Sequence, residues 1–425
     1  MVFPHCETNL RDPATFIDCT KGVKDVSVLY DKLENFPREV VIDPMHSVYR
    51  GPFEDDLKKL IKGFRVDPSE RLLIKFSETA KEKIELLLSK IKFPCEYQRL
   101  KIRSLNAFSN YKASELKLFC LYIVPTLLPY IASLETDQKL SPYIESMMIY
   151  TSAIRLLVQS RVNNDEINAA ETILNFWHQN RQALWGIKAM TFKAHENLHL
   201  ANQVRIHGPL STHSAFAGES AIGQIGKFIS CYRMEVSVKQ IAERLSLKQA
   251  SRGWLDKNGS PDVKRYFNFN VTQSEKKVSD PAAEVLTFLY HREMDSNKLY
   301  GSISISGFTI CPFLDSGSTD CFIAVHTQYG VKPIKIMAIV QDGANGIMFC
   351  GFPLKASPYS EIINGSGFLG SQPLAYQNCF FGVKDDFLEN ELMLCSINDF
   401  RAKYVLIEVF QMNYLIVMPH PYEHN

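Results

Sequence analysis

Near residue 285 the spacing of apolar side chains changes from every third or fourth position to every second. That change divides the chain into a helical part and a sheet part. Upstream, Leu57, Leu60, Ile61 and Phe64 recur at i, i+3, i+4 and i+7, and Ile84, Leu87, Leu88 and Ile91 repeat the pattern. Helical stretches over 111–121, 141–159 and 164–184 continue it, so 54–185 reads as an all-helical block. Within it Ala169, Ile173, Phe176 and Trp177 form an apolar stripe of the kind that packs into a core. Further short helices are expected near 222–229 and 237–245. Downstream, 299–310 alternates Ser and Ile, and apolar runs at 334–340, 347–352, 391–394, 404–410 and 414–418 are broken by Gly, Asn and Pro. They predict a small antiparallel β-domain, a barrel or a curled sheet.

The expected class is therefore α+β, a mainly helical N-terminal region followed by an antiparallel β-rich C-terminal domain. Its divisions are a lead-in over 1–53, the helical block 54–185, more helices over 186–248, a linker over 249–284 and the β-domain over 285–425. At 425 residues there is length for two or three cores. Net charge is +1, so nothing global demands a nucleic acid, and any contact with one must rest on local basic faces. The first residues carry neither a charged nor an apolar leader segment, and no signal peptide is expected. The longest apolar run, Leu118 to Leu134, is interrupted by Pro125 and Pro129 and reads as a buried helix, with no membrane partner expected. The ten cysteines form no C-x-x-C and are expected to be reduced, as in an intracellular soluble protein.

Chemistry concentrates between Phe192 and Arg233. His195 and His199 stand four apart and share a helix face, and Glu219 follows twenty residues later. Three readings compete. His195-Glu196-x-x-His199 has the form of a zinc peptidase, with Glu196 as general base and Glu219 as third ligand. The same residues suit a metal-stabilised piece of a DNA-cutting enzyme. The simplest reading is a helix whose histidines only pack. Upstream, Asp43 and His46 make a D-x-x-H turn able to meet one metal ion, or a helix cap beside a packed histidine. The basic connector around Arg99, Lys101 and Arg103 reads as a solvated loop or as a set of phosphate contacts. In the β-domain, Asp315-Ser316-Gly317-Ser318 resembles a retroviral-type aspartic protease loop, and Phe368-Leu369-Gly370 stands where a second signature might fall. Only one such aspartate occurs, so the turn reading is preferred.

Taken in order, these stretches resemble the C-terminal half of animal CACTA-type DNA transposon transposases. The blocks are Asp43-Pro44-Met45-His46 with its continuation to Gly51, the connector from Pro94 to Leu105, Tyr111 to Glu115, His195-x-x-x-His199-Leu200, Gly208-Pro209-Leu210, Ser214 to Glu219, and Gln240 to Leu245. They cover about residues 1–250, with a vaguer likeness over the β-domain. The resemblance implies a truncated RNase H-like core interrupted by an all-helical insertion. Glu219 would be the remnant of its acidic triad, and Asp43, His46, His195 and His199 would hold a structural zinc ion. It also implies a nuclear protein that meets DNA through Arg99, Lys101, Arg103, Lys227 and Arg233, with its own copies or host proteins as further expected partners. Two departures matter. Asp12, Asp18, Asp25 and Asp31 match neither catalytic aspartate, and Gly218 and Tyr111 replace aromatic residues of the pattern. Mg²⁺ is therefore expected only if an acidic pair lies upstream, and the chain reads as a domesticated, catalytically incomplete descendant. The peptidase and a non-catalytic scaffold remain as alternatives.

Overall fold

Capping chemistry sets the limits of the principal helices. Asn163 accepts from the Glu166 amide while Glu166 reaches back to the Asn163 amide, and this reciprocal box opens the helix Asn164–Trp185. Gly186, at φ +80°, ends it in a conformation that side chains disfavour. Ser77 starts Glu78–Lys90 by accepting from Ala80 N–H. The computed structural model describes residues 3, 14–19, 24–69, 71–97, 101–134, 138–230, 233–260, 283–291, 299–313, 319–342, 346–358, 380–388, 391–409 and 412–419.

The helical block packs around Ala113–Leu134, which passes through a π turn at Phe119–Ile123 just ahead of Pro125. Proline removes an amide donor, and a wide turn beside it accommodates the gap in the hydrogen-bond ladder. This helix is long and apolar enough to cross a membrane by length and composition, yet 78% of its apolar window is buried among the other helices. Against it lie Ser141–Leu157 and Asn164–Trp185. Arg181, on the last of these, forms a buried fork with Asp56 at 2.6 and 2.7 Å, tying it to Glu54–Lys62. Its guanidinium also lies 4.8 Å from the Trp177 ring centre.

The C-terminal part is an antiparallel barrel. β3 (Phe322–Thr327), β4 (Gly330–Asp342), β5 (Gly346–Pro358), β6 (Phe380–Leu388), β9 (Met412–Val417) and β8 (Phe400–Val409) close in the order β4-β3-β8-β9-β6-β5, with β5 pairing back to β4. β7 (Met393–Ser396) adds to β5. Closure needs β4 and β5 to approach closely at the bulge between Ile336 and Ala338, and a Cβ on Gly351 would collide there with the Lys335 carbonyl. The period of two serves two cores at once. Tyr404, Leu406 and Leu415 join one apolar cluster with β3 and β4, while Val405, Ile407, Val409, Ile416 and Met418 join the core of the helical block.

Three expectations need correction. The linker predicted over 249–284 is helical at its start, because Met234–Asn258 is one continuous helix in place of the short one expected at 237–245. Gly253 is the only helix breaker after Leu245, and one internal glycine costs only about 1 kcal/mol. A second helix, Ala283–Tyr290, runs into the start of the predicted β-domain. The alternating stretch 299–310 is a hairpin and not one strand: β1 (Ile303–Ile305) and β2 (Phe308–Ile310) turn at Ser306 and Gly307, both with positive φ. Among the described residues no strand precedes Ile303, so the described parts of the blocks assigned to an RNase H-like core are helices, turns and irregular segments.

Replacing Arg181 by Met should strand the Asp56 carboxylate in the core and lower unfolding stability by about 3–5 kcal/mol. Adding Asp56→Leu should restore much of the loss. Chemical denaturation of both variants checks this.

Candidate functional site

Three motif blocks meet where the helical block turns from the π-helical segment Met45–Phe53 toward Phe216–Gly226. Asp43 is the junction. Its Oδ1 accepts from the amides of Met45 at 3.0 Å and Ala215 at 2.8 Å, and its Oδ2 lies 2.5 Å from His46 Nδ1. A carboxylate is an acceptor, so His46 carries its proton on Nδ1 and turns Nε2 away. That Nε2 faces Glu219 Oε1 at 3.6 Å, with both side chains more than half exposed. The helix Phe192–Glu196 packs on the same segment: Lys193 Nζ donates to the Arg50 carbonyl and Asn197 Nδ2 to that of Ser47.

The histidine pair is arranged differently. His195 and His199 have ring centres 5.3 Å apart, with His178 6.2 Å and Phe3 5.7 Å from His195. Burial, and then His195, hold His199 below the ordinary imidazole pKa, and burial raises Glu196. The four residues of the expected zinc set are thus gathered as two pairs, Asp43 with His46 and His195 with His199. Glu219 turns to His46, so the peptidase arrangement of Glu219 beside the histidine pair is not formed either. Among the described residues only Cys95, Glu96 and Asp320 bring three such ligand atoms within 4.8 Å of one another.

That last cluster is explained without a metal. Lys403 Nζ, fully buried, lies 2.7 Å from Glu96 Oε2 and 2.6 Å from Asp320 Oδ1, and it also donates to the Thr309 carbonyl. Burial disfavours the ammonium, but Asp320 and Glu96 outweigh burial and hold its pKa above the ordinary lysine value. Burial pushes the Cys95 thiol up to about 12, against the pull of Lys403. An ammonium stands where an ion would, joining the helical block to the barrel.

The basic residues separate. Arg103 gives its fork to Glu115, with Nε–Oε1 at 2.8 Å and Nη2–Oε2 at 2.5 Å, and its carbonyl accepts from Tyr111 Oη. Burial alone would raise Glu115, but Arg103 outweighs it and holds the carboxyl low. Two of the resembling blocks are therefore joined by one ion pair, and Arg103 serves the fold. Lys101, Lys227 and Arg233 are exposed and have no carboxylate partner among the described residues. Arg99, the segment Asp315 to Ser318 and the segment Phe368 to Gly370 lie outside the described residues.

Sequence reasoning passed over His207 and His213, whose rings lie 6.0 Å apart. Burial lowers the His213 pKa, His207 adds to this, and Asp43 opposes both. The available signal was density, since His195, His199, His207 and His213 fall within one short stretch. No protein-family model, curated protein or solved structure matches the chain.

With its thiol held protonated, Cys95 should resist iodoacetamide in the native protein at pH 8, while exposed Cys19 is alkylated. Peptide mass spectrometry distinguishes the two.

Proposed function

We propose that the chain is a transposase-derived nuclear protein that binds DNA and no longer cuts it. The observation that supports this reading is the meeting of Asp43, His46, Ala215 and Glu219, contributed by blocks 172 residues apart whose order is that of the transposase pattern. Glu219 stands at this junction as an exposed carboxylate in the first turn of Phe216–Gly226. A two-metal nuclease needs several acidic ligands to hold cations about 4 Å apart. The other nearby carboxylate, Asp43, is already committed to two amides and an imidazole. Strand cleavage is therefore lost, while phosphate contacts, which use basic groups, are retained.

Those contacts come from Lys227 and Arg233, which flank the step between Phe216–Gly226 and Met234–Asn258, and from Lys101. Arg103 contributes little because Glu115 already holds its guanidinium.

Duplex DNA should bind with strong salt dependence. Lys227→Ala and Arg233→Ala should each weaken binding of all sequences and lower the salt slope by about 1. Incubation with Mg²⁺ or Mn²⁺ should leave DNA intact. Nicking that disappears in Glu219→Gln would overturn the loss of cleavage, and binding that ignores salt and both basic variants would overturn the DNA reading.

A further inference from the structure

Met234–Asn258 is a long helix that no core holds. None of its residues whose exposure is described is buried, and a Cβ added at Gly253 would meet no atom within 4 Å. Its fastenings lie in its first half. Gln240 Oε1 accepts from the Ser230 amide at 2.9 Å, and Arg244 Nη1 donates to the Phe228 carbonyl. The turn that carries Lys227 is thereby fixed to the helix, while the second half is left to solvent.

The charge on this helix is concentrated and sided. Between Lys227 and Asn258 seven basic residues stand against three acidic ones, in a chain whose net charge is +1. Arg244, Lys248 and Arg252 follow at i, i+4 and i+8 and share one face. Arg233, at the N-cap, precedes Arg244 by eleven residues, about three turns, and continues the same line. All four are exposed, and none pairs with a carboxylate among the described residues. Glu235 stands nine residues before Arg244 and so on the opposite side, and Glu243 is met by Lys239 at 3.9 Å. The line spans about 28 Å and ends where Asp256 follows Arg252 by one turn. Like charges four apart weaken a helix, so this row does nothing for the fold.

A row of cations without carboxylates suits a polyanion, and shape selects which one. A helix with its side chains is about 10–12 Å across, and the major groove of B-form DNA is about 12 Å wide. The deep, narrow major groove of duplex RNA does not admit it. A single strand needs an aromatic platform among the cations. The one aromatic residue of the helix, Trp254, stands two residues from Arg252 and therefore faces the other way.

We propose that Met234–Asn258 is the element that enters the major groove of duplex DNA, with Arg233, Arg244, Lys248 and Arg252 on the bordering phosphates. This rests on the DNA-binding reading and deepens it, adding three contacts and naming the groove. Arg244 also positions the helix, through its bond to Phe228.

Fluorescence anisotropy of a labelled mixed-sequence duplex, with the full chain, tests the assignment. Lys248→Ala and Arg252→Ala should each lower the salt slope by about 1, and together weaken binding at least tenfold. Lys239→Ala removes the same charge from the other face and should bind within about twofold of the wild type. All three residues are exposed, so the variants keep their fold, which circular dichroism verifies. Dimethyl sulfate reads both grooves: at saturating protein it should spare guanine N7, in the major groove, and still methylate adenine N3, in the minor. Duplex RNA of the same sequence should bind more weakly. Duplex binding with an unchanged salt slope in the double variant, or protection of adenine N3 alone, would overturn this inference and leave the DNA-binding reading standing. Failure of the wild type to bind duplex DNA at all would overturn both.

Discussion

The Asp43 carboxylate holds the D-x-x-H turn to the segment that carries Glu219. It accepts from Met45 and Ala215 through one oxygen and meets the His46 ring and amide through the other. Both oxygens are thus used, three of the bonds going to the Met45–Phe53 segment and one to the turn before Phe216–Gly226. The Met45 and His46 amides begin the π-helical segment, the His46 ring points toward Glu219, and the Ala215 amide brings the turn before Phe216–Gly226 across the molecule. Removing this carboxylate would leave amides unpaired at the mouth of one helix and release the other. The positions of His46 and Glu219 relative to each other follow from it.

A second constraint joins the two halves. β8 and β9 present alternate side chains to the barrel and to the helices, so neither half can complete its core without the other. Into that seam Lys403 carries a charge that Glu96 and Asp320 neutralise, one from each half. Such a cluster is costly to bury and tolerates few other partners. It therefore fixes how the halves meet more than it adds to stability.

Much of the architecture was legible because periodicity depends on local spacing. The helical block and the β-rich end follow from spacings of 3.6 and two, and the D-x-x-H turn, readable as a cap or a ligand pair, has Asp43 accepting from the Met45 and His46 amides as a cap does. What spacing could not supply was long-range pairing. That Arg103 would meet Glu115, that Lys403 would meet Glu96, and that Glu219 would face His46 in place of His195 all depend on how helices cross. The extension of Met234–Asn258 through Gly253 was missed because a polar composition resembles a linker when no apolar face marks the helix. The hairpin at Ser306 and Gly307 was hidden by the same Ser–Ile alternation that identified strand structure.

If Asp43 holds these elements together, its loss should free the Ala215 amide, and native-state hydrogen exchange reads that amide directly. Asp43→Ala should speed exchange at Ala215, and at Met45 and His46, by roughly tenfold or more. Unchanged protection at all three amides would contradict the dependence on this carboxylate.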